Sequence, residues 1–100
     1  MSSTDYSKFT DPEGMKQLAE LRDRIADRWL PGTSDVLRSR NPELLDKIKN
    51  VESRLNSLLV IADKPKELRT KLKDTLDDYE RVCNQAIAYA ARHLTTDAVA

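Results

Sequence analysis

Apolar residues recur along residues 44–62 at alternating steps of four and three positions. Because an α-helix turns once in about 3.6 residues, this spacing places six apolar side chains on one helical face. The set is Leu44, Ile48, Val51, Leu55, Leu58 and Ala62. Asn41 can cap the helix with its side-chain oxygen, and Pro42 suits the first helical position. The pattern predicts a helix over 42–62 that supplies the largest single part of the core.

A second helical pattern precedes this one. Asp11, Pro12 and Glu13 repeat the order of cap, proline and acid. The apolar residues that follow at helical spacing are Met15, Leu18, Leu21, Ile25 and Trp29. The pattern stops at 30–32, where a proline and a glycine disfavour further helix. A helix over 12–30 is predicted, followed at 33–40 by a connector that contains one short helical turn.

The third helical pattern is the longest and covers residues 65–94. Its apolar stripe consists of Leu68, Leu72, Leu76, Tyr79, Val82, Cys83, Ala86 and Ala90. The break before it, at 63–65, is short, so this helix is expected to fold back antiparallel to the helix over 42–62.

The fold prediction is therefore all-α. It is a three-helix bundle built on an antiparallel hairpin (42–62 and 65–94), with the amino-terminal helix 12–30 packed beside it. Residues 11–94 form a single helical domain, 1–10 a flexible arm and 95–100 a frayed tail. Two alternatives stay open for Tyr6 and Phe9, which either fray with the arm or pin it to the bundle or to a partner.

The composition narrows the possible functions. The chain has 100 residues, with 17 basic and 17 acidic side chains and a formal net charge of zero, so it lacks the basic excess usual in nucleic-acid or membrane-surface binders. Cys83 is the only cysteine, which rules out a disulfide within the chain. No secretory signal or membrane-spanning apolar run is recognised, so we expect a cytoplasmic protein with no membrane partner.

We expect no enzymatic activity and no cofactor. Cys83 and His93 lie ten residues apart, or roughly 15 Å along a helix, which is too far for a nucleophile and its base. Asp74, Asp77 and Asp78 share a helical face without a histidine at metal-ligand spacing, so no metal site is expected. The chain has two glycines and no glycine-rich phosphate loop.

An alternative function, nucleic-acid binding, depends on the basic stretch 64–73. Lys66, Arg69 and Lys73 share one helical face there. Acidic residues follow at once, and no aromatic residue lies among the lysines to stack on bases. The lysines also lie where they would neutralise the carboxyl end of the preceding helix. Nucleic acid is therefore the less favoured partner.

The favoured function is non-enzymatic protein binding, as an adaptor, inhibitor or chaperone-like regulator. Residues 86–91 are apolar on nearly every helical face, and the first helix can cover only one side of them. A protein partner or a second copy of the chain would cover the rest. The predicted contact residues are Trp29, Ala86, Ile87, Tyr89, Ala90 and Arg92.

Overall fold

The computed structural model describes the backbone of residues 11–61 and 63–99 and the side chains of residues 11–61 and 63–94. Predictions about the arm 1–10, including Tyr6 and Phe9, lie outside the described residues. The residues that the structure describes form four helices: α1 (Pro12–Arg28), α2 (Thr33–Arg40), α3 (Pro42–Leu59) and α4 (Lys66–Val99). The predicted all-α bundle is confirmed.

The antiparallel hairpin of α3 and α4 is the main framework. Leu44, near the start of α3, packs with Ala86 of α4, whereas Glu52, later in α3, accepts a hydrogen bond from the hydroxyl of Tyr79 at 3.3 Å. Sequence positions therefore rise along α3 as they fall along α4. α1 runs antiparallel to α3, since Arg22 pairs with Glu52 and Gly14 lies beside Leu59.

The main core fills the space between α1, α3 and α4. Its buried members are Leu18, Leu21, Ile25, Val51, Leu55, Leu58, Leu59, Leu72, Leu76, Tyr79, Val82 and Cys83. The three apolar stripes expected from the sequence provide nearly all of them, and each buried side chain stabilises the fold by roughly 1.5–3 kcal/mol.

The helix ends differ in part from the expected ones. Asp11 caps α1 as predicted, accepting a hydrogen bond from the Gly14 amide at 3.1 Å. Asn41 lies at the cap position of α3, but its side chain makes no capping hydrogen bond, so that prediction is wrong. α3 ends at Leu59 rather than at 62, and the α4 backbone stays helical to Val99, past the expected end at Leu94.

α2 is the main addition to the predicted fold. Residues 33–40 form a helix of eight residues rather than one turn in a connector. Gly32 makes the preceding turn possible because its φ of 90° lies in the left-handed region that other residues rarely adopt. Val36 and Leu37 are buried, and Leu37 is 0% exposed. Two apolar positions in eight are too few for a period to reveal this helix.

Candidate functional site

Two of the predicted contact residues, Ala86 and Ala90, lie in the interior. Both are 0% exposed, so they cannot touch a partner in this fold. Ala86 belongs to a second core cluster with Leu37 of α2 and Leu44 of α3. The expectation for these two residues is wrong because it assigned only α1 to cover this part of α4, whereas α2 covers it as well.

The other predicted contact residues are scattered around the same region. Ile87 is half-buried against the main core, and Tyr89 is half-buried against the second cluster. The ring of Tyr89 also lies 4.5 Å from that of His93, one helical turn away. Arg92 is exposed, and Trp29 is half-buried where the two clusters meet. These four side chains, unlike Ala86 and Ala90, thus remain predicted contact residues.

An apolar cleft lies elsewhere, between α1 and α3, with a volume of about 490 Å³. It is open to solvent along the two helices that form its walls. Its lining consists of Arg22, Ile25, Ala26, Trp29, Leu45, Ile48, Lys49, Glu52, Tyr79 and Cys83. Trp29 is thus the one predicted contact residue that lines this cleft.

Gly14 leaves room for neighbouring side chains at the start of α1. A Cβ on Gly14 would come within 2.6 Å of Asp11 Oδ2 and 2.8 Å of Leu59 Cδ2, so these side chains can lie there only because the residue is glycine. The cleft begins farther along α1, at Arg22, and larger side chains line it there, among them Trp29, Leu45 and Ile48.

The charges at the rim of the cleft are not balanced. Arg22 lies 3.8 Å from Glu52, which also accepts the hydrogen bond from Tyr79. Burial and the neighbouring Glu52 carboxylate raise the pKa of Tyr79, so its hydroxyl stays protonated and can donate. The exposed ammonium of Lys49 has no ion-pair partner among the described residues. The rim thus carries two cations and one anion.

Cys83 lies at the base of the cleft but is not poised for chemistry. The thiol is 2% exposed, and burial together with Glu52 raises its pKa to about 11. It is therefore uncharged at neutral pH and a poor nucleophile. Within the residues whose side chains are described, no three His, Cys, Asp or Glu side chains cluster closely enough to hold a metal ion.

The basic stretch 64–73 has its first cation in the interior. The Lys64 side chain is fully buried, where its ammonium pairs with Asp11 and donates to the Ile61 carbonyl at 2.7 Å. The Lys64 carbonyl in turn accepts a hydrogen bond from Arg69 Nε at 3.2 Å. The other four cations of the stretch, Arg69 among them, are exposed. Lys64 therefore joins parts of the bundle and is not accessible to phosphate.

Most of the cleft was not predicted from the sequence, because it lies between two helices. Leu45 and Ala26 are apolar residues just beside the main stripes, and Arg22, Lys49 and Glu52 are charged residues that add nothing to an apolar pattern. Periodicity along one helix cannot reveal that the faces of two helices meet across a gap.

Comparisons of the chain with protein-family models, with curated proteins and with solved structures find no match. Among the described residues, no helix combines the length and the apolar character needed to cross a lipid bilayer. The functional argument therefore depends on the cleft itself.

Proposed function

We propose that this protein is a non-enzymatic protein-binding module that holds its partner in the cleft between α1 and α3. The observation that carries the proposal is a mainly apolar cleft, open to solvent, in a chain of only 100 residues. Exposed apolar concavities of this kind are typical of interaction sites in small proteins. Adaptor, inhibitor and chaperone-like roles all fit such a site.

Trp29 makes the cleft suited to macromolecular binding. Tryptophan is enriched among the residues that contribute most to protein interfaces, because a large flat ring loses little conformational freedom when it is covered. Trp29 is already held between the two core clusters, which reduces that loss further. Ile25 and Ile48 line the cleft together with it.

The alternative, nucleic-acid binding, gains no support from the geometry. Lys64 is buried, so the stretch 64–73 loses one of its five cations to the interior, and the exposed Arg69 donates a hydrogen bond to the Lys64 carbonyl. The exposed cations, Lys66, Arg69, Lys71 and Lys73, lie on α4 with no aromatic residue among them to stack on bases. We therefore do not propose this function.

The test compares two exposed alanines in the middle of helices. Ala26 lines the cleft on α1, and Ala88 lies on α4 outside it. The wild-type protein and the variants Ala26→Glu and Ala88→Glu are immobilised separately. Each is incubated with an extract of the cells from which the protein comes. We expect a protein that wild type and Ala88→Glu retain and that Ala26→Glu loses, because a carboxylate in the cleft must be desolvated when a partner binds.

Circular dichroism and urea unfolding establish that both variants are folded. Equal retention by all three proteins, or retention of nothing, would show that the cleft is not a protein-binding site. Loss with Ala88→Glu alone would assign binding to the outer face of α4 instead.

A further inference from the structure

We infer that the occupant of the cleft is an amphipathic α-helix of a partner protein, which presents two turns of apolar side chains to the cleft and an acidic residue to Lys49. This inference depends on the proposed function and adds the shape and the charge of the partner. It follows from the length of the walls, from the hydrogen-bonding state of the helices that form them, and from the charges on the rim.

The length of the cleft suits two turns of a helix. Its lining runs from Arg22 to Trp29 on α1 and from Leu45 to Glu52 on α3. Each wall therefore presents two helical turns, or roughly 10 Å along the axis. A helix lying between the walls would place apolar residues at positions i, i+3 or i+4, and i+7 against them. The open mouth allows a rod to enter from the side.

The helical walls of the cleft disfavour an extended peptide. Both walls are helices whose backbone amides and carbonyls are paired within each helix. An extended strand laid along them would bury its own backbone polar groups without partners, at a cost comparable to several lost hydrogen bonds. A helix brings its hydrogen bonds already made, so it can cover an apolar lining at no such cost.

The charges on the rim of the cleft favour an acidic residue on the partner. The rim carries Arg22, Lys49 and Glu52, and Glu52 is already engaged by Arg22 and Tyr79. The ammonium of Lys49 is left to interact with a partner. An acidic side chain beside the apolar face of the incoming helix would complement it.

The same charges disfavour a second copy of the chain as the occupant. Two clefts meeting face to face about a two-fold axis would bring the Lys49 and Arg22 side chains of one copy toward those of the other. The net positive rim would then oppose association instead of assisting it.

The experiment uses peptides selected without reference to any natural partner. A displayed library of short random peptides is panned on the full chain, and binders that also recognise Ala26→Glu are removed. We expect the surviving sequences to show apolar residues at helical spacing and an excess of aspartate and glutamate. Binding should increase the helical signal in circular dichroism and change the fluorescence of Trp29, the only tryptophan.

Charge reversal then tests the acidic contact. Lys49→Glu should weaken the selected peptides by about fivefold at low salt, and by less at high salt, as expected for an exposed ion pair. Replacing the acidic residues of the peptide by lysine should restore binding to Lys49→Glu. Lys71→Glu, at an exposed position on α4, is the control and should leave the affinity unchanged.

The outcomes separate the inference from the proposed function. Selected peptides without helical spacing, or an affinity that is indifferent to Lys49→Glu, would overturn the inference. The proposed function would still stand if a cellular protein depended on Ala26. Saturation of the Trp29 signal by a fatty acid such as lauric acid, with no peptide surviving selection, would assign the cleft to a small amphiphile and overturn both.

Discussion

At the scale of single residues, the ion pair of Asp11 and Lys64 stands out because both side chains are buried. The Lys64 side chain is 0% exposed and that of Asp11 is 7% exposed, and the pair joins the start of α1 to the turn between α3 and α4. Burial alone would raise the pKa of Asp11. Hydrogen bonds from Lys64 and from the Gly14 amide, together with the positive charges of Lys64 and Arg69, more than offset this effect, so the pKa lies below its ordinary value.

This lowered pKa sets a direction for the dependence of stability on pH. A carboxyl group whose pKa is depressed in the folded state stabilises the protein above its unfolded pKa, here taken as 3.8, and loses that contribution as the pH falls through the folded value. We expect Asp11→Asn to lower the free energy of unfolding at neutral pH by about 3 kcal/mol, since it leaves the Lys64 charge buried and unpaired. It should also flatten the loss of stability in acid.

Urea unfolding from neutral to strongly acidic pH measures both effects. Asp35→Asn is the matched control, because Asp35 also pairs with a cation, Arg38, but at an exposed site. It should cost less than about 1 kcal/mol. Equal costs for the two substitutions would mean that burial adds nothing to the Asp11 pair.

The sequence could not reveal this pair. Asp11 was correctly predicted to cap α1, and Lys64 was assigned to a basic surface stretch, but the two lie 53 positions apart and neither carries a signal for the other. The role of Gly14, which leaves room for the Leu59 side chain, likewise depends on a neighbour that only the tertiary fold supplies.

At the scale of helices, periodicity predicted α1, α3 and α4 well because each buries a long stripe. It failed for α2, which buries few residues, and the error propagated to the functional site. Without α2 the apolar residues 86–91 required an external partner. With α2 in place, Ala86 and Ala90 are interior residues.

The role of α2 predicts a stability difference between two leucines. Leu37→Ala should lower the free energy of unfolding by about 2–5 kcal/mol, because it empties a fully buried site against Leu44 and Ala86. Leu30→Ala, at a residue 39% exposed just before α2, is the control and should cost less than about 1 kcal/mol. Chemical denaturation monitored by circular dichroism provides the comparison. A small cost at Leu37 would mean that α2 does not stabilise the end of α4.

At the scale of the whole molecule, the main core unites α1, α3 and α4, and Cys83 lies within it. The Cys83 thiol is protected from modification in two ways: a pKa of about 11 keeps it protonated, and burial excludes reagents. We expect an aromatic disulfide reagent at mildly alkaline pH to modify the native protein far more slowly than the urea-unfolded protein. The rate should rise with urea in parallel with global unfolding.

Absorbance of the released thiolate follows this reaction directly. Modification of the native protein at the rate of the unfolded chain would show that the base of the cleft opens without unfolding. In that case the lining of the cleft would not be a fixed surface.

The contacts at Asp11 and Gly14 fix the position of one end of α1. The helix is fastened near one end by Asp11 and Lys64, and Ile25 lies eleven residues beyond the contact, or roughly 16 Å along the axis. A tilt of α1 by about 7° about the contact at Gly14 would displace Ile25 by about 2 Å while leaving the start of the helix in place. Because Ile25 lines the cleft and also belongs to the main core, such a tilt would shift its core contacts as well, so the width of the cleft is coupled to the packing of α1 in the bundle.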